Sequence, residues 1–354
     1  TRLLKNKGKL GYISSSTFFK TSSGKKLRAY LTSNISINKL VDFNDLQLFT
    51  GVTTYPAIII LENKTPTKNS TIDSWVLENS LPSNLELEFT NASSAVAQSQ
   101  LSDNSWSFES KKLFDLNTKL KSAGNTIKSV YGSPFYGIKT GYNAAFVIDK
   151  NVRDRLVAED PNSLAIIRPF LEGKDLKKWH SQSRGLSLIT IPKFWTRKKM
   201  AVEGELTEEQ AWLWLQKNYP AISKWLEPFA DKARKRGDKG EFWWELRACA
   251  YYKEFEKPKI QYGHFSPEPL FHLNTNNAYS NDKSYIIPTD DKYLYGLLNS
   301  TVYWYLIKSI CPFVRGGFYE VRAQYIETLP VPDKPKDEII SAIANDCQTT
   351  VEAR

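Results

Sequence analysis

The sequence has 354 residues, 41% hydrophobic and 24% charged, an ordinary globular composition with length for two or three domains and a substantial core. Lys and Arg number 48 against 38 Asp and Glu, a formal charge of +10; a surplus of that size favours a polyanionic partner, because cations that neutralise phosphates release condensed counterions. No apolar run approaches the ~20 residues of a membrane span. The first residues are basic and run straight into a strand-like segment, so no signal peptide is expected, and neither the three cysteines (Cys249, Cys311, Cys347) nor the three histidines (His180, His264, His272) have disulfide or metal-ligand spacing. A reducing cytoplasm is the expected compartment, without metal chemistry.

In chain order, Leu10-Gly-Tyr-Ile-Ser-Ser-Ser16 reads as a buried strand ending in small hydroxyl residues. Gly24 to Thr32 has helical spacing, with Leu27, Tyr30 and Leu31 on one face. Ile35 to Phe43 and Val52 to Leu61 are two further strands, the second apolar enough to be covered on both faces. This succession is the closing part of an α/β sheet whose opening half is expected to lie upstream of Thr1. Residues 66–126 read as a connector rich in Asn, Ser, Thr and Pro, with a short strand at Leu85-Glu-Leu-Glu-Phe89 and a helix from Ser110 to Ser122 ending before Gly124.

From Ile127 the pattern changes to short strands (Ala145 to Ile148, Gly185 to Ile191, Lys259 to Tyr262, Lys283 to Ile287) around a helical pair. Thr207 with Gln210 three positions on is a capping box, and Pro220 suits the first position of the next helix. Leu294 to Ile310 is a longer apolar helix, and Pro330-Val-Pro332 closes the region before a charged tail or helix over 334–354.

Five patterns in this second region occur in one order: Gly137-Ile-Lys-Thr-Gly-Tyr-Asn-Ala-Ala-Phe146, Pro169-Phe-Leu-Glu-Gly-Lys-Asp-Leu176, Pro258-Lys-Ile260, Leu297-Leu-Asn-Ser300 and Ile326-Glu-Thr-Leu-Pro-Val-Pro332. Together they resemble adenine-specific DNA methyltransferases fused to a TaqI-like carboxy-terminal specificity domain, as in type IIG restriction–modification enzymes. Taken singly, Pro258, Asn299 and Pro330 read as turn and cap residues. Leu48-Phe-Thr-Gly-Val-Thr-Thr-Tyr-Pro-Ala-Ile-Ile-Ile-Leu61 resembles the last strand hairpin of that family's catalytic domain. The resemblance implies an α/β part, the end of a Rossmann-like methyltransferase sheet over 1–65, then the connector and an α+β target-recognition domain over 127–333. It also implies sequence-specific recognition of double-stranded DNA for adenine-N6 methylation, with S-adenosylmethionine as the parent's cofactor. The family's cofactor loop and its (Asn/Asp)-Pro-Pro-(Tyr/Phe) motif are absent here, and no nuclease motif is present. The chain alone is therefore expected neither to hold the cofactor nor to methylate, the missing catalytic region being a partner within the same parent.

By the same resemblance Phe49 stacks on an adenine flipped out of the duplex, a group the chemistry needs because the amine is inaccessible in the base stack; a core role for Phe49 is the other reading. Lys139 and Thr140, in the tight turn bracketed by Gly137 and Gly141, are candidate phosphate contacts, and Tyr142 and Asn143 just after it are further DNA candidates. Lys174 and the aromatic-basic segment Lys193, Arg197, Lys198, Lys199 are further DNA candidates, as is the cluster Lys232, Arg234, Lys235, Arg236, Lys239, partly neutralised by Asp231 and Asp238. Arg315 beside two glycines suits a bidentate grip on guanine or a structural ion pair. Alanine at Arg315 is expected to relax sequence choice, and alanine at Lys198 and Lys199 to weaken all DNA alike. Two other classes stay open: an interaction or specificity subunit with no catalysis of its own, and an aromatic-rich carbohydrate or RNA binder.

Overall fold

The computed structural model describes residues 3–44, 46–51, 54–77, 80–108, 111–314, 316–334 and 339–352. The chain divides into two compact units, Thr1–Asn125 with Tyr305–Val321, and Thr126–Trp304 with Arg322–Arg354. One has α/β and the other α+β character, and both contain mixed sheets.

The first unit is built on strands β1 (Lys9–Ser15), β2 (Ser36–Asp42), β3 (Pro56–Glu62), β4 (Thr71–Val76) and β5 (Ser94–Ala97), in sheet order β1-β3-β2-β4-β5. β3 runs antiparallel between β1 and β2, with Ile59 opposite both Tyr12 and Leu40; β2 and β4 are parallel. The run Pro-Ala-Ile-Ile-Ile-Leu suits this place, since its β-branched side chains pack on either face and Pro56 stands at the strand's first position, where no ladder bond is lost. Ala57, Ile59 and Leu61 join one apolar cluster with Leu31, Leu40 and Trp106; Ile58 packs on another around Val41, Phe43 and Phe89. The expectation of a strand covered on both faces holds for β3.

The expectation of a buried strand at Leu10 to Ser16 fails, since β1 is an edge strand with Tyr12 60% exposed. Helix α1 (Lys25–Asn34) buries Leu31 but turns Leu27 and Tyr30 outward. Arg28 takes their place inside, its guanidinium donating to the carbonyls of Phe18, Thr21 and Asp103. Leu85 to Phe89 is no strand but the start of helix α2 (Leu85–Ala92). The period-two alternation is overridden by local signals: Asn84 Oδ1 accepts the Leu87 N–H at 3.0 Å, and Glu86 and Glu88 lie in the first turn where the helix dipole favours them. Helix α3 spans Lys111–Lys121.

The second unit holds two four-stranded sheets. Strands β6 (Phe135–Tyr136), β10 (Lys259–Gly263), β11 (Phe271–Asn274) and β13 (Ser284–Ile287) form an antiparallel sheet in the order β11-β10-β13-β6. Strands β7 (Val147–Ile148), β8 (Ile167–Leu171), β9 (Ser187–Ile189) and β12 (Tyr279–Ser280) form the other, ordered β12-β8-β9-β7, with β12 parallel to β8. Ala145 and Phe146, expected in a strand, close a short helical turn instead. The core joins Phe146, Phe170, Leu188 and Ile286 to the inner faces of helices α4 (Lys150–Glu159), α5 (Trp195–Met200), α6 (Glu208–Asn218), α7 (Pro220–Leu226) and α8 (Ala230–Lys235). Thr207 and Gln210 form the expected capping box at α6, and Pro220 opens α7.

The quoted patterns have structural work to do. Gly137 stands where a Cβ would lie 1.8 Å from the Asn281 carbonyl oxygen, and Gly173 where one would lie 2.9 Å from that of Lys283, so both glycines let backbone close on the β12–β13 turn. Lys259 is buried, and its ammonium donates to the carbonyls of Phe255 and Lys257. The apolar stretch from Leu294 to Ile310 is two helices, α9 (Lys292–Leu298) and α10 (Thr301–Ile310). Asn299 breaks it, donating to the carbonyls of Phe271 and Tyr295 while its Oδ1 accepts the Phe271 N–H. Helix α11 (Ile339–Glu352) crosses Gly296 of α9, where a Cβ would lie 2.8 Å from Ile340.

His272 on β11 is buried, and its Nδ1 has no hydrogen-bond partner. Burial pushes it down from 6.5 to about 4, helped by His180 and Lys259. Between those two values the unfolded chain binds a proton that the native state refuses, so stability should fall as pH drops through the window, by about 3 kcal/mol at its lower end. Thermal unfolding of His272→Gln between pH 4 and 7 is expected to lose this part of the slope. Parallel pH profiles for the two proteins would remove His272 as its source.

Candidate nucleic-acid interface

The turn from Gly137 to Phe146 is held from behind. Arg236, one of the cluster of candidate DNA contacts, is instead buried and donates to the carbonyls of Thr140, Trp243 and Glu245, with its guanidinium 4.2 Å from the centre of the Phe146 ring. Burial with no carboxylate hydrogen bond pushes it down to about 10. Thr140 is 2% exposed; its hydroxyl donates to Asn143 Oδ1 and accepts the Tyr142 N–H. Thr140 therefore shapes the turn instead of offering a free hydroxyl. Tyr142 packs edge-on against Phe229, whereas Asn143 and Lys139 are exposed. Lys139 pairs with Asp238 at 2.9 Å and holds that carboxyl below the usual range; Arg247 reaches the same carboxylate at 3.2 Å.

Lys174 is exposed but sits 3.4 Å from Glu172, in a group where Arg184 also bridges Glu172 and Asp175. The segment Lys193–Lys199 divides sharply. Arg197 is engaged by Glu241 through both carboxylate oxygens and by the Gly204 carbonyl, so it fastens the loop down. Lys198 and Lys199 are exposed with no ion-pair partner among the described residues, and the Lys193 ammonium lies 4.7 Å from the centre of the Phe194 ring.

Beneath this segment Glu245 is fully buried and accepts four backbone N–H groups, those of Phe194 and Thr196 at 3.0 Å, Glu241 at 2.9 Å and Phe242 at 3.4 Å. Trp244 Nε1 donates to the buried Thr196 hydroxyl at 3.0 Å. The surface that carries Lys198 and Lys199 is thus mounted on a polar hub.

A groove of about 490 Å³ opens between Tyr136, Arg247, Tyr251, His264 and Lys283. Sequence reading missed Arg247 and Lys283 as surface cations of one site. They are 36 positions apart in sequence, and only the closure of Gly137 and Gly173 on the β12–β13 turn puts Lys283 there. The tyrosines and the basic surplus were signals, but without spacing to join them.

In the first unit Phe49 lies in the β2–β3 connection and is 44% exposed, while its neighbours Leu46 and Leu48 pack inward. The core reading of Phe49 is thereby removed. A cavity of about 490 Å³ in this unit is lined by Ser16, Asp42, Tyr55, Trp106, Phe108 and Tyr305 among others, and Phe49 is not part of that lining. Arg315 lies outside the described residues. Among the described residues no group of three His, Cys, Asp or Glu could hold a metal, and no helix is long and apolar enough to cross a membrane.

Residues 1–49 match the Eco57I restriction-modification methylase family, and residues 168–331 the TaqI-like C-terminal specificity domain. The chain is homologous to restriction–modification methyltransferases. It is 41% identical over 63 residues to the type II restriction enzyme and methyltransferase RM.Eco57I of Escherichia coli, 18% of this chain and 6% of that protein. The same identity and length relate it to the type II methyltransferase M.BstVI of Geobacillus stearothermophilus, 11% of which is covered. The type IIL restriction-modification enzyme MmeI, solved in complex with DNA, shares the fold at a TM-score of 0.56 and 13% identity, over 98% of this chain and 42% of that one. The matched stretches are thus less than half the length of each relative. The specificity-domain match takes in Lys174, the Lys193–Lys199 segment, Arg247 and Lys283; the turn from Gly137 to Phe146 precedes it, and Phe49 is the last residue of the methylase match.

Proposed function

We propose that this chain recognises a specific sequence in double-stranded DNA for an adenine-N6 methyltransferase of a restriction–modification system. The observation that carries the reading is the Lys193–Lys199 segment, which lies within the specificity-domain match and presents Lys198 and Lys199 with no carboxylate partner among the described residues, together with Lys193 over the exposed Phe194 ring. Cations left unpaired on a rigid mount suit phosphate, because no internal bond need be broken to release them. Lys139, Asn143 and Lys174 are secondary contacts in this reading, each with a neighbouring group to exchange, while Arg197 and Thr140 act through the backbone they hold. Tyr142 lends its ring edge to the same turn.

In the same proposal residues 1–65 are the end of a Rossmann-like catalytic sheet, residues 127–333 do the target reading, and Phe49 stacks on the flipped adenine. The glycine that opens the first helix of the first unit, Gly24, does not fit S-adenosylmethionine, being closed off by protein: a Cβ there would lie 2.2 Å from the Phe18 carbonyl oxygen. The cofactor and the transfer step belong, in this reading, to the parent's catalytic region. The cytoplasm is the compartment proposed.

The test is a titration with a duplex selected from a random pool by its binding to the chain, compared with an unselected duplex over a range of salt. Lys198→Ala with Lys199→Ala is expected to weaken both duplexes by a similar factor and to reduce the salt slope by about 2. Binding that ignores salt, or prefers single strands, would defeat the proposal.

A further inference from the structure

Among the described residues two aromatic side chains sit at positive φ, Trp179 at 72° and Phe194 at 65°. Each is a left-handed conformation that a bulky side chain adopts only when its surroundings impose it. For Trp179 the reason is visible, because the ring packs edge-on against Tyr295 at 5.1 Å. Phe194 has no such reward. It is 43% exposed, while the next residue, Trp195, turns inward against Trp214 and Tyr219. Ordinary hydrophobic packing would hide the phenylalanine, and here the backbone is bent to show it.

The bend is enforced. The buried Glu245 carboxylate takes the N–H of Phe194 itself and of Thr196 two residues on, and Arg197 is clamped to Glu241 on the far side. Phe194 is thus the N-terminal lip of α5, fixed on both flanks, with Lys193 beside its ring and Lys198 and Lys199 on the helix that follows. A rigid apolar ring with one cation beside it and two more on the following helix is a combination that duplex DNA accommodates by opening a base step, the cations holding the backbone while the ring replaces the lost stacking.

Resting on the DNA-reading proposal, we infer that Phe194 is a wedge that enters or props a base step of the bound duplex. The base it touches is recognised by its π-face, so the wedge contributes to affinity and to the shape of the DNA more than to the identity of that base. Sequence preference arises there through how easily the step opens.

The selected duplex is labelled with 2-aminopurine at one adenine after another and titrated with the full chain. Wild-type protein should brighten the label at one step, reporting loss of stacking. Phe194→Gly and Phe194→Asn should abolish that brightening and weaken binding by about 5- to 100-fold. Both residues tolerate positive φ, so the unfolding temperature should stay within a few degrees or rise. Lys198→Ala with Lys199→Ala should weaken binding and keep the brightened step. A bound duplex with no brightened step, or one brightened equally by the Phe194 variants, overturns the wedge and leaves the DNA-reading proposal standing. Failure of the wild-type chain to bind any duplex overturns both.

Discussion

Glu245→Ala should lower the unfolding temperature of the second unit by roughly 10 °C and weaken duplex binding by at least about tenfold. Four backbone N–H groups lose their acceptor at once, inside a site from which solvent is excluded. Buried donors left unsatisfied cost about 1–3 kcal/mol each, and water repairs some at the half-buried rim, so a net loss of about 3–5 kcal/mol is the expected scale. Binding falls because Phe194, Lys198 and Lys199 lose their mount, not because any of them is removed. Glu245→Gln keeps one acceptor oxygen, which best serves the three N–H groups of Phe194, Glu241 and Phe242, and turns its amide donor toward the single N–H of Thr196, so its loss should be intermediate. Calorimetry and a binding titration on the same preparations decide it. A shift under about 3 °C for the alanine variant would mean the N–H groups find water, and the hub would carry no weight.

Arg236→Leu is expected to cost a similar amount, about 3–5 kcal/mol, from the same neighbourhood. The leucine fills part of the space but orphans the carbonyls of Thr140 and Trp243, leaves that of Glu245 to the Gly240 N–H, and removes the cation over Phe146. Arg236→Lys should recover little, because a point ammonium cannot span three carbonyls that a planar guanidinium reaches from two nitrogens. The guanidinium bonds the Glu245 carbonyl while that residue's carboxylate holds Phe194. The two substitutions should therefore be non-additive, with a coupling above about 0.5 kcal/mol in a double-mutant cycle. Strict additivity would mean that the Gly137 turn and the Phe194 loop are separate supports.

Signals that are local along the chain were legible in the sequence. The Thr207 and Gln210 capping box, Pro220, the apolar run of β3 and the helix ending before Gly124 all appear where short-range chemistry put them. Alternation misled at Leu85, because Asn84 and two acidic residues already committed the segment to a helix. Charge misled more deeply. Arg197, Arg236 and Lys259 are cations by composition, yet their partners are Glu241, the Thr140 carbonyl and the Phe255 carbonyl. Two of those contacts join residues 44 and 96 positions apart, and nothing in a linear reading weighs them. Lys198 and Lys199 are distinguished from Arg197 beside them only by what they fail to meet among the described residues. The outward turn of Phe194, within a segment the sequence already marked as aromatic and basic, was not legible for a related reason: its backbone N–H is held by a carboxylate 51 positions away.

Gly137 leaves one more mark, on how this unit can change. The obstacle to any side chain there is the carbonyl of Asn281, and every amino acid at 281 carries the same carbonyl. A substitution at 137 therefore has no compensating partner at the position it strikes; only a shift of the whole β12–β13 turn, taking Lys283 with it, would relieve it. In libraries of this unit, side chains at Arg247 or Lys283 can be exchanged one at a time. Position 137 should come through unaltered, a fixed hinge-pin around which the lining of the groove varies.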